Sequence, residues 1–208
     1  MIPEEPEQLK IAADLFPQAV IRGLPDFSCN IHSFGCTYWT ALGQHAGFSA
    51  ICEMPAPNAG VAALKGDNVI SDSAWFAKTQ DHPEALVEFE RYSDEGDGAK
   101  LFSKVQNLLL GYWRWNQQPK LLILAYWTKG LRNLPNHQSM RAIIRNGFTT
   151  AARENIPGTR TVGIRFSSLF LKSFHPNAGS WCASSKGGQN EPNAILHAQC
   201  GPTSGRPL

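Results

Sequence analysis

VISDSAWFAKTQDHPEALVEFERY, residues 69–92, is the stretch on which the reading of this chain turns. Its second half, ALVEFERY (85–92), alternates as an extended strand does. Ala85, Val87, Phe89 and Arg91 fall on one face, and Leu86, Glu88, Glu90 and Tyr92 on the other. Its first half belongs to NVISDSAWFA (68–77), also read as a strand, and DHPE turns the chain between the two. Asp72 therefore stands mid-strand among apolar neighbours, where a carboxylate is costly to bury without a metal or a cationic partner. Glu88 and Glu90 are two residues apart on one face and repel unless a cation sits between them. Three carboxylates on two neighbouring strands suit a hard divalent ion with oxygen ligands. An exposed sheet face would give the same pattern for Glu88 and Glu90 alone; Asp72 argues against it.

Upstream, SFGCTYWTALGQH (33–45) predicts a helix with Ser33 as its cap and Gly47 closing it. SAICEMP (49–55) predicts a short strand, and VAALKG (61–66) another. Downstream, the acidic loop SDEGDG opens a helix over about 99–115, with Leu101, Phe102, Val105, Leu108, Leu109 and Tyr112 on its buried face. KLLILAYW (120–127) is almost continuously apolar, as expected of a central strand covered on both sides. A second helix is predicted over about His137–Glu154, with Met140, Ile143, Ile144, Phe148 and Ala151 facing inward, and a last strand over 160–171. The order implies an α/β protein with a mixed central β-sheet flanked by helices. Residues 1–32 read as an irregular lead-in with one short helix near Glu7–Phe16, 33–173 as the α/β domain, and 174–208 as a flexible tail of low periodicity.

The net charge of +2 conceals a division. Residues 1–100 carry fifteen Asp/Glu against six Lys/Arg, and residues 101–173 eleven Lys/Arg against Glu154 alone. An acidic half meeting a basic half suits carboxylates that hold metal beside a cationic surface for phosphate, although mutual neutralisation would give the same totals. The five cysteines form no CxxC pair and read as reduced thiols, and the six histidines form no HxH or HExxH set, so none is assigned as a ligand. Trp113, Trp115 and Trp127 read as core or strand-end residues. No apolar run is long enough to span a membrane, and the N-terminus has no apolar signal core, so a cytoplasmic location is expected.

The ordered set CEMP with Glu53, SDSAWF with Asp72, VEFER with Glu88 and Glu90, and LFSKVQNLLLGY with Lys104 resembles the core of the PD-(D/E)XK nuclease superfamily. It is nearest in pattern to proteins of the plasmid mobilisation and replication-relaxation type. The likeness covers about residues 33–127. It implies a restriction-endonuclease-like core in the order αβββαβ and a metal-dependent DNA endonuclease, or another DNA-processing protein of a mobile element. Asp72 and Glu88, with the Phe89 carbonyl, would hold Mg2+ (or Mn2+), Glu90 would add a ligand or orient water, and Lys104 would stabilise charge on the phosphate. Glu53 would complete a second metal site, or is a plain surface residue. Ser71 stands where proline is usual before the aspartate, and Glu90 stands where the family's lysine usually follows the glutamate. Lys104 is then the replacement lysine, with Lys100 second.

The basic region would hold DNA through Lys100, Lys129, Arg132, Arg141 and Arg145. The competing reading is a catalytically inactive protein of the same fold that binds DNA or serves as an accessory factor. No helix-turn-helix or zinc module is legible, and the oligomeric state stays open, a homodimer included.

Overall fold

The computed structural model describes residues 11, 14–16, 28–58, 68–92, 97–128 and 135–170. The expected strand 61–66, Lys129, Arg132, the tail 174–208 and most of the lead-in lie outside the described residues. The chain runs α1 (Ser28–His45), β1 (Ser49–Pro55), β2 (Ile70–Phe76), β3 (Pro83–Tyr92), α2 (Gly98–Arg114), β4 (Leu121–Thr128), α3 (His137–Asn146), β5 (Gly147–Thr149), β6 (Asn155–Pro157) and β7 (Gly163–Phe170). The main sheet has the order β1-β2-β3-β4-β7; β1, β2 and β3 are antiparallel in turn, and β3, β4 and β7 are parallel. Parallel neighbours require a crossover, and α2 and α3 supply the two. The α/β class with a mixed sheet between helices is thus as the sequence implies.

Alternation along β3 divides the core. Ala85, Val87 and Phe89 pack with Ile31, Tyr38, Trp39 and Leu42 of α1, whereas Leu86 and Tyr92 pack with α2 and α3. β4 serves both sides, Ile123 and Ala125 towards α1 and Leu122 and Leu124 towards α2, which is why its sequence shows no polar alternation. Trp127 is buried on the α1 side. α1 approaches the sheet closely through Gly35 and Gly43. A Cβ on Gly35 would clash with the edge of the Phe89 ring, and one on Gly43 would lie 2.6 Å from Trp75 Nε1. No helix among the described residues is long and apolar enough to cross a membrane.

Two helix boundaries differ from expectation. α1 begins at Ser28, so Ser33 is an interior residue whose carbonyl accepts from Thr37 Oγ1. The helix expected to reach Glu154 ends at Asn146, because Gly147 takes φ 80° and the β-branched pair Thr149–Thr150 follows. Gly147–Thr149 then pairs with Asn155–Pro157 as a small hairpin. Phe148 still packs against the core, but from a strand, and Ala151 lies exposed in the turn.

α3 docks on β7 through His137, whose ring stacks on Phe166 at 4.5 Å and whose Nε2 lies 2.9 Å from Tyr126 Oη. Burial and the Arg141 guanidinium push this imidazole down to about 4. An unfolded histidine protonates near 6.5, so between these values the unfolded state binds more protons and stability falls as pH drops from 6.5 towards 4. His137→Phe keeps a ring against Phe166. It should show a smaller drop in melting temperature between pH 6.5 and pH 4 than the natural chain; an equal drop would contradict the assignment.

Candidate functional site

Asp72 occupies an irregularity in the sheet. β2 and β3 pair through Ser73↔Val87, Ala74↔Leu86, Trp75↔Ala85 and Phe76↔Pro83, and the pairing stops short of Asp72. On its other side β2 pairs with β1 through Cys52↔Ser73 and Met54↔Ser71, with Glu53 between them at φ 49°. In a regular strand Ser71 and Ser73 would share a face. Here Ser73 faces α1, its hydroxyl accepting from Thr40 Oγ1 at 3.0 Å, while the Ser71 hydroxyl lies towards Gly111 of α2. The facing reverses across Asp72, so its carboxylate enters the seam between β2 and β3. There Phe89 N donates to Oδ2 at 2.6 Å, in place of a backbone carbonyl acceptor across the strands.

Around this carboxylate a compact charged group forms on the α2 side. Lys104 Nζ donates to Asp72 Oδ2 at 2.8 Å and stands 2.7 Å from Glu88 Oε2. That second approach is an ion pair of poorer alignment than the first, and its charge and proton both favour the ionised form of Glu88. Asn107, one turn beyond Lys104, donates through Nδ2 to Glu88 Oε1 and, at 2.8 Å, to the Ile70 carbonyl. Glu88 is fully buried. Burial first, then the negative charge of Asp72, pushes its carboxyl up to about 8, against the opposing pull of Lys104 and Asn107. Burial alone would lower the Lys104 ammonium, but the charges of Glu88 and Asp72 overcome it and raise it.

On the α1 side the same carboxylate meets His32 and Cys36, one helical turn apart. His32 Nε2 lies 3.8 Å from Asp72 Oδ1 and 3.5 Å from Cys36 Sγ. Asp72 is thus reached through both of its oxygens from helices on opposite faces of the sheet.

Of the residues expected at the site, Asp72, Glu88 and Lys104 converge. Glu90 is half-buried at the rim and accepts from its neighbour Arg91 N at 2.9 Å. Glu53 is exposed, and Lys100 is exposed and paired with Asp97 at 2.8 Å near the start of α2. Arg141 and Arg145 line, with Arg160, Thr159 and Val162, a cavity of about 520 Å³. The Arg141 guanidinium lies 4.9 Å from the centre of the Phe166 ring. Phe166 pairs with Leu124 and Leu124 with Glu88, which sets Phe166 two strands from Glu88 on one sheet face, about 10 Å away.

Sequence reasoning missed Asn107, Arg160, His32 and Cys36. Asn107 was findable, since it follows Lys104 by three positions on a recognised helix. His32 was hidden by starting that helix at Ser33, which leaves its one-turn relation to Cys36 out of sight.

Removing the cation from this group should be costly. Lys104→Met leaves two buried carboxyls facing each other without their cation and should lower the unfolding free energy by about 3–5 kcal/mol, read from urea midpoints at pH 9, above the raised Glu88 value. Adding Glu88→Gln should recover part of that loss. An unchanged midpoint for Lys104→Met would show that the ion pair contributes nothing to the fold.

No family model matches the chain, and neither does any curated protein or solved structure.

Proposed function

We propose that this protein is a metal-dependent nuclease with a restriction-endonuclease-like core, which hydrolyses phosphodiester bonds in DNA. The observation that carries the reading is the meeting of Asp72, Glu88 and Lys104 at the point where β2 and β3 part. The element order α1, β1, β2, β3, α2, β4 is the αβββαβ order that the PD-(D/E)XK resemblance implies. A buried carboxylate pair is poor material for a stable core unless it serves a function, because desolvating two anions beside one cation is unfavourable.

The donor set suits a hard divalent ion such as Mg2+ or Mn2+, with Asp72 and Glu88 as its ligands and Glu88 Oε2 the oxygen lacking a well-aligned hydrogen bond. When bound, such an ion polarises a phosphodiester and acidifies a coordinated water. The chain's own groups do the rest. Phe89 N fixes the Asp72 carboxylate, Asn107 fixes Glu88, and Lys104 offers positive charge to the phosphate oxygens. Glu90, two residues beyond Glu88 on the same strand, would orient water at the rim. Arg141, Arg145 and Arg160 give the flanking strand of DNA a cationic rest on phosphates.

A second reading draws support from Lys104 itself. It stands within ion-pair distance of both carboxylates, where it neutralises them without any metal, as a degraded site in a DNA-binding or accessory protein would be neutralised.

The two readings part in one assay. The nuclease reading expects Mg2+- or Mn2+-dependent nicking of supercoiled plasmid or cutting of single-stranded DNA, with the rate falling at least about 100-fold in Asp72→Asn and in Lys104→Met. DNA binding should persist in both variants. Replacing Arg141, Arg145 and Arg160 with alanine should weaken binding. It should also flatten the slope of log affinity against log salt by about one for each phosphate no longer neutralised. Binding without cleavage under every metal would favour the accessory protein, and neither binding nor cleavage would overturn both readings.

A further inference from the structure

The α1 side of Asp72 carries an arrangement that the nuclease reading does not use. His32, Cys36 and Asp72 each offer one ligand atom, and these atoms lie within 4.8 Å of one another. Their chemistry differs from that of the Asp72–Glu88 pair. An imidazole nitrogen and a thiolate sulfur select borderline or soft divalent ions, whereas oxygen-only sets select magnesium-like ones. We propose that His32, Cys36 and Asp72 form a site for a zinc-class divalent cation, with the fourth coordination position open to water.

The two edges at His32 are close to what such an ion needs, and the third, between Cys36 Sγ and the Asp72 carboxylate, is within 4.8 Å and must close towards about 3.6 Å on binding. Zinc–sulfur bonds of about 2.3 Å and zinc–nitrogen bonds of about 2.0–2.1 Å at a tetrahedral angle set a sulfur–nitrogen edge of about 3.5–3.6 Å. Cys36 Sγ and His32 Nε2 stand 3.5 Å apart. The corresponding nitrogen–oxygen edge is about 3.4 Å, and His32 Nε2 lies 3.8 Å from Asp72 Oδ1, so a shift of a few tenths of an ångström closes it. His32 and Cys36 project from successive turns of one helix, so their separation is set by helix geometry. Asp72 is fixed by its other oxygen, which receives Phe89 N and Lys104 Nζ. Gly35, between the two α1 ligands, has no side chain to hold the helix off the Phe89 ring, and this brings α1 within reach of the seam.

Access suits an exchangeable ion with an open position. The His32 side chain is 39% exposed, while those of Cys36 and Asp72 are buried beneath it. Cys36 would bind as a thiolate and release its proton to solvent through this opening. Because the site takes Oδ1 and leaves Oδ2 to Phe89 and Lys104, it stands independently of whether Asp72 and Glu88 also hold magnesium.

Cobalt(II) tests this directly, because a cobalt–thiolate bond gives a charge-transfer absorption in the near ultraviolet that carboxylate or imidazole ligation does not. The full chain, reduced and stripped of metal, should take up one Co2+ with this absorption, and Zn2+ should displace it. Cys36→Ser should abolish the absorption while the far-ultraviolet circular dichroism stays unchanged, and His32→Ala should weaken Co2+ binding at least tenfold. Cys52→Ser should leave the absorption in place. The proposal is overturned if the natural chain gives no charge-transfer band, if the band survives in Cys36→Ser, or if His32→Ala binds Co2+ as tightly as the natural chain. DNA cleavage plays no part in the readout, so this result and that of the nuclease assay are separable.

Discussion

A carboxylate held in the plane of a β-sheet organises this molecule. Asp72 accepts from the backbone of β3 where a neighbouring strand's carbonyl would ordinarily do so, and the β2–β3 ladder ends beside it. That substitution makes room for Lys104 to reach the Asp72 oxygen that Phe89 N already holds. It also turns the other oxygen towards His32. The left-handed backbone of Glu53 on β1 belongs to the same distortion, since it lets Cys52 and Met54 keep their partners on either side of Asp72.

The helices are positioned to serve that irregularity. α2 crosses from β3 to β4 with Leu101, Val105, Leu108 and Leu109 buried, which carries Lys104 and Asn107 on the flank of the apolar stripe nearest β2 and β3. Lys104 is a long side chain whose stem lies along buried surface while its ammonium meets two carboxylates. On the other face, the glycines of α1 allow close approach, and the aromatic cluster of Tyr38, Trp39, Trp75 and Phe48 locks the helix down. The α3–β7 region extends the same sheet face with arginines. The acidic and basic halves of the sequence thus come to lie on one sheet, as the proposed nuclease function requires.

Much of this was legible from residue patterns. The alternation in 85–92 and the unbroken apolar run at 120–127 identified β3 and β4 because they reflect one buried environment per face and two buried faces respectively. Asp72 stood out because a charge inside an apolar strand demands a partner, and Lys104 because the PD-(D/E)XK resemblance implies a lysine that Glu90 displaces from its usual place. What stayed hidden depends on backbone conformations that side-chain periodicity does not encode. The reversal of facing across Asp72 breaks the period-two rule locally, so the sequence predicts a face where the structure has a seam. Gly147 stops α3 although apolar spacing continues through Phe148 and Ala151. Starting α1 at Ser33 excluded His32 from the helix that pairs it with Cys36. Asn107 looks like any neutral residue on a solvated flank until Glu88 is seen beneath it.

Asp72 and Glu88 as ligands for a hard cation, and not merely as partners of Lys104, are what the proposed chemistry stands on. Anomalous diffraction from crystals grown with Mn2+ at neutral pH addresses this directly. A manganese peak in contact with both carboxylates is expected, with the Lys104 ammonium moved off the line between them. Crystals in which Lys104 still bridges Asp72 and Glu88, with no anomalous peak beside either, would contradict it and leave the triad as an ion pair of the fold.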